Sequence, residues 1–589
     1  MLSALALLVA TSGPANVLLV TIDTLRADHV GAYGDTKAET PGFDRLAREG
    51  VLVDDAVSQV PQTRPSHASI LTGRYPYEHG VRDNAAGPIV PGMPTLATLL
   101  KAAGYDTAAF IGAYPVSRSS GLDRGFDVYD DPFEKASDGR TERRAQEVVD
   151  RALVWLGRPH TRFLTWVHLF DPHAPYTPPQ PFAGRFAARL YDGEVAYADS
   201  QLQRLLGWLD SSGQRARTLV VVTSDHGESL GEHGEEEHGL LVYDATLRVP
   251  LVMSWPGHLP AAARVRGQFR SVDLLPTLLD LLGVPAVKTS GASRAEVLAR
   301  GGRIPDNESY AESLYGAIHF GWAQLRALRS QGWKYIEAPR PELYQLGQDP
   351  GELRNVLPSR EAVASGMRQS LARFGGGAAD ARAAAAIDQA ALERLAALGY
   401  VGGVGTAVTV TGKDPKDGVR EVERERQGMR EALRLFKQND IDHALPLLEQ
   451  LARGHTGSFN VEFYLGRALL QKDRPREAIP HLRKAMEAAP QATTTAVYLA
   501  QAQLAAGLDA EAASTVARGL SRTPDNPDLL EVKGRLALRR DDLAGARVAL
   551  EKARSLDPRS ARVRAALSAA AYGGGSGDGK ALETFDALA

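Results

Sequence analysis

Three stretches in the first 230 residues are almost wholly apolar, and each ends at acids or histidines. They are residues 16–23 (NVLLVTID), 162–169 (RFLTWVHL) and 217–224 (RTLVVVTS). Runs of this length and apolar composition predict buried parallel strands. Asp23 closes the first run, Asp171 and His173 follow the second, and Asp225-His226 follows the third. Because ligands bind beyond the carboxyl ends of parallel strands, these polar residues mark a predicted site.

Amphipathic helical patterns separate the predicted strands. They cover residues 42–49, 95–103, 143–156 and 191–209. The alternation predicts an α/β fold in which a mostly parallel sheet is sandwiched by helices. We assign residues 16–264 to a catalytic core. Shorter segments follow, among them two predicted antiparallel strands at 326–329 and 333–336, so residues 265–374 are predicted to form a small C-terminal subdomain of the catalytic unit.

The last third of the chain repeats every 34 residues. The repeated positions are Ala444, Ala478, Ala512 and Ala546; Pro490, Pro524 and Pro558; and Gly466, Ala500 and Gly534. Small residues in phase let antiparallel helices approach closely, and a helix–turn–helix period of this length is typical of tetratricopeptide repeats. We therefore predict an all-α tetratricopeptide solenoid over residues 421–575. A Gly- and Ala-rich linker is predicted at 375–420 and a tail at 576–589.

Composition and the N-terminus narrow the function classes. The net charge is −3, which gives no basic field for nucleic acid, and the chain has no cysteine to form disulfides or to act as a nucleophile. The apolar start over residues 1–15 predicts a signal peptide, with a ragged start before the first strand as the alternative. Export to the periplasm or the extracellular space is thus predicted, with a cytoplasmic location left open. No other segment is long and apolar enough to be a transmembrane helix.

The residues at the predicted strand ends suit a divalent metal. Asp23, Asp225 and His226 supply two carboxylates and one imidazole, which are common ligands of catalytic metals. Thr63 lies in a predicted strand-to-helix turn, where the N-terminus of a helix favours an anion. A free threonine hydroxyl is a poor nucleophile at neutral pH, so coordination to the metal is its natural activator.

Over about residues 16–360 the chain resembles the sulfatase family of the alkaline phosphatase superfamily. The matching motifs, in order, are residues 16–23, TRPSHASILTGR at 63–74, His79-Gly80 with Asn84, DPHAPY at 171–176, YDGE at 191–194, TSDHGE at 223–228 through RVP at 248–250, and ELY at 342–344 with DPGE at 349–352 and Asn355. The resemblance implies an alkaline-phosphatase-like fold, with Thr63 at the position of the nucleophile. It also implies that Asn84 binds the substrate.

Several positions depart from the family pattern. Thr63 stands where sulfate-ester hydrolases of the family carry the Cys or Ser that matures to formylglycine, and threonine cannot make this residue. His67 and His238 replace an Arg and a Lys, and Thr24 replaces the second acid of an Asp-Asp pair. The pair Asp225–His226, in place of Asp–Asn, is similar to the phosphonate and phosphodiester branch.

These departures favour phosphodiester or phosphonate ester hydrolysis through a covalent Thr63 intermediate, since water can cleave a phosphothreonine in line. A sulfuric ester hydrolase of arylsulfatase type, a phospho-group transferase and a non-catalytic tetratricopeptide scaffold are the alternatives. The predicted substrate is a small or polymeric ester, and a protein or peptide is the predicted partner of the repeats. The predicted cofactor is zinc, manganese or calcium, as one ion or two.

The candidate residues fall into four groups. The catalytic residues are Thr63, His67, His173 and His238; the substrate-binding residue is Asn84; the metal ligands are Asp23, Thr63, Asp225 and His226; and a second metal would be held by Asp171, His173 and His238.

Overall fold

A computed structural model describes residues 15–135, 141–375, 394–395, 411–454, 458–489 and 492–572. The chain divides into two compact units. One comprises residues 1–385 and 408–423, and the other comprises residues 386–407 and 424–589. The predicted signal peptide up to residue 14, most of the predicted linker and the predicted tail lie outside the described residues.

The first unit is built on a nine-stranded sheet with the order β4-β3-β5-β1-β6-β7-β2-β8-β9. The strands are β1 (Asn16–Ile22), β2 (Val51–Val57), β3 (Asp106–Ile111), β4 (Val128–Asp130), β5 (Phe163–Leu169), β6 (Thr218–Thr223), β7 (Arg248–Ser254), β8 (Ala263–Arg270) and β9 (Gly302–Arg303). Strand β7 runs antiparallel to both of its neighbours, and the other pairs are parallel. The prediction of a mostly parallel sheet is confirmed.

Helices and a continuous apolar core bury the central strands. The helices of this unit are α1 (Pro41–Glu49), α2 (Thr63–Thr72), α3 (Pro76–His79), α4 (Leu96–Ala102), α5 (Ala145–Leu156), α6 (Phe182–Arg185), α7 (Leu190–Ser211), α8 (Asp244–Leu247), α9 (Leu274–Leu281), α10 (Ala295–Arg300), α11 (Tyr315–Phe320) and α12 (Glu361–Leu371). All seven residues of β1 are buried, and Leu18 and Val20 share a cluster with Val148 of α5 and Leu205 of α7. The strand therefore tolerates polar residues only where it ends, and its end is where Asp23 lies.

A second sheet of four antiparallel strands follows. Its strands are β10 (Ser309–Ser313), β11 (Leu325–Ser330), β12 (Trp333–Glu337) and β13 (Glu342–Gln345). The pairing of Arg326 with Glu337 confirms the antiparallel strands predicted at 326–329 and 333–336. Strand β8 crosses residue 264, where we placed the end of the core, and β9 lies beyond it, yet both extend the large sheet because β8 pairs with β2 and β9 pairs with β8.

The second unit consists of paired helices. They are Ile441–Gly454, Phe459–Gln471, Pro475–Ala488, Thr493–Ala505, Asp509–Leu520, Pro527–Arg539, Leu543–Leu556 and Ala561–Tyr572, preceded by Pro415–Lys437, which begins in the first unit. The alanines of the 34-residue period, such as Ala478 and Ala512, are completely buried between helices. This arrangement confirms the helical solenoid.

Part of the predicted linker is structured. The helix Pro415–Lys437 begins inside it, and Val419 and Val422 join an apolar cluster of the first unit that includes Trp322. Among the described residues, no helix is both long enough and apolar enough to cross a membrane.

The close helix approach predicts a stability effect at Gly466. A Cβ added there would lie 2.5 Å from Leu482 Cγ, so Gly466→Val should destabilise the second unit by about 1–3 kcal/mol through overpacking. Scanning calorimetry of the full chain measures this loss. Ala517→Val, on an exposed helix face, is the control and should cost about 0.5 kcal/mol in helix propensity. Equal costs for the two variants would contradict the packing argument.

Candidate metal and catalytic site

Two neighbouring strands bring the predicted ligands together. Strands β1 and β6 are parallel, with Thr21 opposite Thr223, so Asp23 and the pair Asp225–His226 leave the same edge of the sheet. The backbone amide of Asp23 donates to the Leu169 carbonyl at 2.8 Å, which continues the ladder past the last residue of β1. The side chains of Asp23, Asp225 and His226 are fully buried, and their ligand atoms lie within 4.8 Å of one another.

Thr63 is the first residue of α2 and lies at the same edge of the sheet. Its Oγ1 is 3.4 Å from His226 Nε2. The hydroxyl of Ser66, one turn along the helix, donates to the Asp225 carbonyl at 2.6 Å and ties α2 to the end of β6. The partial positive charge of a helix N-terminus stabilises developing negative charge on a hydroxyl there.

The tautomer of His226 points a lone pair at the two acids. Its Nδ1 donates to the Gly227 carbonyl at 2.9 Å, so in the neutral imidazole the lone pair is on Nε2. This nitrogen lies 3.4 Å from Asp225 Oδ2 and 3.7 Å from Asp23 Oδ1, and neither oxygen accepts a hydrogen bond. Burial raises the pKa of both carboxyls, and the charge of Asp23 adds to the effect on Asp225.

The donor set fits a divalent cation. Two buried carboxylates that each leave one oxygen without a hydrogen bond are costly unless a positive charge compensates them. A tetrahedral shell with bonds of about 2.1 Å has edges of about 3.4 Å between its ligand atoms. The separation of His226 Nε2 from Thr63 Oγ1 and from Asp225 Oδ2 is 3.4 Å in each case. Asp23, Asp225, His226 and Thr63 can therefore hold one metal ion with little rearrangement.

His168 supports this site, although we did not select it from the sequence. Its Nδ1 accepts the Gly112 amide at 3.3 Å, so Nε2 carries the proton and donates to Asp23 Oδ2 at 3.2 Å. Such an outer partner fixes the orientation of a ligating carboxylate. A histidine inside the buried apolar run at 162–169 was the signal that could have identified it.

The backbone of Thr24, next to the predicted ligand Asp23, is strained. Its φ is 56°, in the left-handed region, which is rare for a β-branched residue. The Thr24 carbonyl accepts from the Tyr191 hydroxyl at 2.8 Å, which helps to hold this conformation. Such strain is typical of functional sites.

His67, which we predicted to be a catalytic residue, bonds to the backbone of Thr63, so its geometry fits a positioning role instead. Its Nδ1 donates to the Thr63 carbonyl at 2.8 Å and its Nε2 accepts from the Thr21 hydroxyl at 3.0 Å. The side chain is completely buried, and burial lowers its pKa to about 3. A neutral imidazole with both nitrogens engaged by the protein orients the turn that carries the nucleophile.

His173 and His238 extend the imidazole cluster around His226. The ring centroids of His226 and His238 are 4.4 Å apart, and those of His238 and His173 are 5.0 Å apart. His238 Nδ1 donates to Glu228 Oε1 at 2.8 Å, and His173 Nδ1 donates to the Ala174 carbonyl at 2.7 Å. These bonds orient both rings, and the catalytic role of the two histidines stays a prediction.

One oxygen of the Asp171 carboxylate faces the N-terminus of α5. Asp171 Oδ2 accepts the Ala145 amide at 2.8 Å, and burial raises the pKa of Asp171 to about 8. Among the described residues, the candidate metal group comprises Asp23, Asp225 and His226 and includes neither Asp171 nor His173 and His238. The geometry gives no support to the predicted second-metal set, because the carboxylate of Asp171 caps a helix.

Asn84 lies on a separate loop and contacts the turn that carries Thr63. Its Oδ1 accepts the Arg64 amide at 2.7 Å, which satisfies one of the free amides at the start of α2. Its Nδ2 is buried and donates no hydrogen bond. A donor left open beside Thr63 is consistent with the predicted contact to a substrate oxygen.

Comparison with known proteins matches both parts of the chain. The sulfatase family model matches residues 15–284, and the model of the C-terminal part of N-sulphoglucosamine sulphohydrolase matches residues 231–374. Tetratricopeptide repeat models match residues 429–493 and 469–536.

Among curated proteins, N-acetylgalactosamine-6-sulfatase of Rattus norvegicus is 30% identical over 343 residues, covering 48% of this chain and 65% of that enzyme. The chain thus matches slightly less than two thirds of the length of the rat enzyme. Delta 4,5-hexuronate-2-O-sulfatase of Bacteroides thetaiotaomicron is 26% identical over 408 residues, covering 58% of this chain and 84% of that enzyme.

Solved structures show the same fold. A structure in complex with D-glucosamine-2-N,6-O-disulfate has a TM-score of 0.53 at 22% identity and covers 61% of this chain and 96% of its own. A phosphonate monoester hydrolase of Agrobacterium radiobacter has a TM-score of 0.52 at 22% identity and covers 61% of this chain and 95% of its own.

The order of the large sheet gives the first unit the fold of these solved structures. Residues 15–374 match sulfatase-family models, and residues 429–536 match tetratricopeptide repeat models.

The ligand geometry predicts metal-dependent stability. Adding zinc or manganese to metal-stripped protein should raise Tm, with about 2.7 kcal/mol of stabilisation when free metal is 100 times Kd. His226→Ala should abolish the shift in a calorimetric scan. The exposed His258, stacked on Trp255, provides the control, since His258→Gln should keep the shift. An undiminished shift in the His226 variant would refute the ligand assignment.

The hydrogen bond from His168 predicts a graded effect on metal affinity. His168→Phe keeps a ring of similar size but removes the donor to Asp23, so metal affinity should fall about 10–100-fold. Competition with a chromophoric chelator measures this loss. His79→Phe is the matched control, because His79 is also buried but bonds to Ser69 and to the Val81 amide. The idea is wrong if both variants bind metal as tightly as the parent.

Proposed function

We propose that the first unit is a metal-dependent hydrolase of phosphodiesters or phosphonate esters that acts through a covalent Thr63 intermediate. The observation that carries this proposal is the position of Thr63 Oγ1, 3.4 Å from Nε2 of His226. The two open carboxylate oxygens of Asp23 and Asp225 lie beside the same nitrogen.

The cofactor is proposed to be one divalent ion, zinc or manganese ahead of calcium. Two carboxylates and an imidazole suit zinc or manganese, whereas calcium prefers six to eight oxygen ligands. When bound, the ion would polarise an ester oxygen and lower the pKa of the Thr63 hydroxyl. Asp23, Asp225 and His226 would hold it, and the Thr63 oxygen would complete the shell.

Protein groups then divide the reaction into two displacements. Thr63 Oγ1 attacks phosphorus in line, its proton passes to solvent, and the bond from phosphorus to the leaving oxygen breaks. The imidazolium form of His238, oriented by Glu228, or of His173 donates a proton to that oxygen and then regains a proton from solvent. Asn84 Nδ2 donates a hydrogen bond to a non-bridging oxygen. Water finally attacks phosphorus and releases Thr63.

Thr63 favours phosphorus over sulfur. A formylglycine hydrate expels sulfate through its second hydroxyl, whereas a threonine ester offers no such elimination. The sulfatases among the relatives support a second candidate, a sulfuric ester hydrolase of arylsulfatase type. The same covalent intermediate would make the protein a phospho-group transferase if the acceptor were an alcohol.

The remaining predictions concern partners and location. We propose that the tetratricopeptide unit binds a protein or peptide, as helical-repeat surfaces commonly do, and that the substrate is a small or polymeric ester. We also propose that the protein is exported, because its N-terminal segment is apolar. A non-catalytic scaffold remains the competing class.

Turnover of three matched aryl esters tests the proposal. With zinc or manganese, bis(4-nitrophenyl) phosphate and 4-nitrophenyl phenylphosphonate should be cleaved faster than 4-nitrophenyl sulfate. Thr63→Ala should lower kcat/KM by about 10³-fold or more, whereas Thr63→Ser keeps a hydroxyl and should retain part of the rate. Full activity of Thr63→Ala would exclude the covalent role, faster sulfate cleavage would favour the second candidate, and no turnover would favour the scaffold.

A further inference from the structure

A cavity of about 300 Å³ has His173 among its lining residues. The His173 ring links the cavity to the imidazole cluster, because its centroid is 5.0 Å from that of His238, whose own centroid is 4.4 Å from that of His226. Phe170 lines it as well and stacks on His173 at 4.3 Å. A substrate held at the metal could therefore place a substituent in this cavity.

Two buried acids of the cavity wall have one oxygen each without a hydrogen bond. Asp171 is 8% exposed and Glu194 is 1% exposed. Asp171 Oδ2 accepts the Ala145 amide and Glu194 Oε1 accepts the Thr177 amide, each at 2.8 Å. The second oxygens, Asp171 Oδ1 and Glu194 Oε2, are buried and accept no hydrogen bond.

Two arginines line the cavity, and Arg143 is committed to Asp130 by a buried ion pair at 2.5 Å. Arg144 approaches Glu194 Oε1 at 3.4 Å and Asp171 Oδ1 at 4.0 Å, but its side chain is 47% exposed. Burial raises the pKa of Asp171 to about 8 and of Glu194 to about 7, so a cation would relieve an existing cost.

We propose that this cavity is a specificity pocket of the catalytic site and that it accepts a substituent carrying a protonated amine, which Asp171 and Glu194 bind. The inference rests on the proposed hydrolase and narrows its substrates to esters of amino alcohols or amino sugars. A primary ammonium supplies three donors and one positive charge, which match the two open carboxylate oxygens. A neutral hydroxyl supplies a single donor and no charge.

Two substrates that differ only in this group test the pocket. They are 4-nitrophenyl 2-aminoethyl phosphate and 4-nitrophenyl propyl phosphate, which share the leaving group and have nearly equal size. The parent enzyme loaded with zinc or manganese should prefer the amine by about tenfold or more in kcat/KM. Asp171→Asn and Glu194→Gln keep their bonds to the Ala145 and Thr177 amides, so each should fold and should lose most of this preference.

Asp199→Asn is the matched control. Asp199 is a buried acid on the same helix as Glu194, and burial raises its pKa to about 7. Its carboxylate accepts the amides of Gly42 and Phe43 instead of lining the cavity. The preference for the amine should survive in this variant. Equal use of the two substrates by the parent, or an unchanged preference in both pocket variants, would overturn the inference.

A binding measurement separates this inference from the proposed function. If the parent cleaves neither substrate, the hydrolase proposal fails and calorimetric titration with 2-aminoethylphosphonate and propylphosphonate decides about the pocket. Tighter binding of the amine, lost in Asp171→Asn and in Glu194→Gln, would support the pocket. Equal binding of the two phosphonates would refute it.

Discussion

Two buried carboxylates, each with one oxygen that accepts no hydrogen bond, are the constraint around which the candidate site is organised. Asp23 Oδ1 and Asp225 Oδ2 lie at the ends of adjacent strands in a completely buried position, where an unpaired negative charge is costly. His168 can relieve only the other oxygen of Asp23. A bound cation would compensate the negative charge of these carboxylates. It would also place positive charge beside the Thr63 hydroxyl.

The surrounding bonds position the nucleophile and leave the metal ligands open. A chain of hydrogen bonds runs from Trp166 through the Thr21 hydroxyl and His67 to the Thr63 carbonyl. Ser66 fastens the same helix to Asp225. These contacts involve the backbone carbonyls of Thr63 and Asp225. The Thr63 hydroxyl is not used in them and stays directed at His226. Such preorganisation matters, since small displacements of a reacting group are costly in rate.

The sequence was most informative where a residue's role depends on its position in a periodic element. Buried strands that end at Asp23 and Asp225 had to place these acids at one edge of a parallel sheet, and the 34-residue period predicted the helical pairs. The sequence was least informative about where individual side chains point. His67 and Asp171 have the residue types of ligands, but the fold points His67 at the Thr63 carbonyl and Asp171 at a helix N-terminus. His168 looked like a strand residue and proved to contact a ligand.

The sequence by itself determined the strand and helix order, the family resemblance, the repeat array and the absence of any cysteine nucleophile, because each depends on local composition and spacing. Only the tertiary structure decided which nitrogen of His226 faces the acids and which of the remaining histidines face the metal site. It also decided that Asp171 and Glu194 share a cavity wall. Those outcomes depend on hydrogen bonds between residues distant in the chain, which no local pattern encodes.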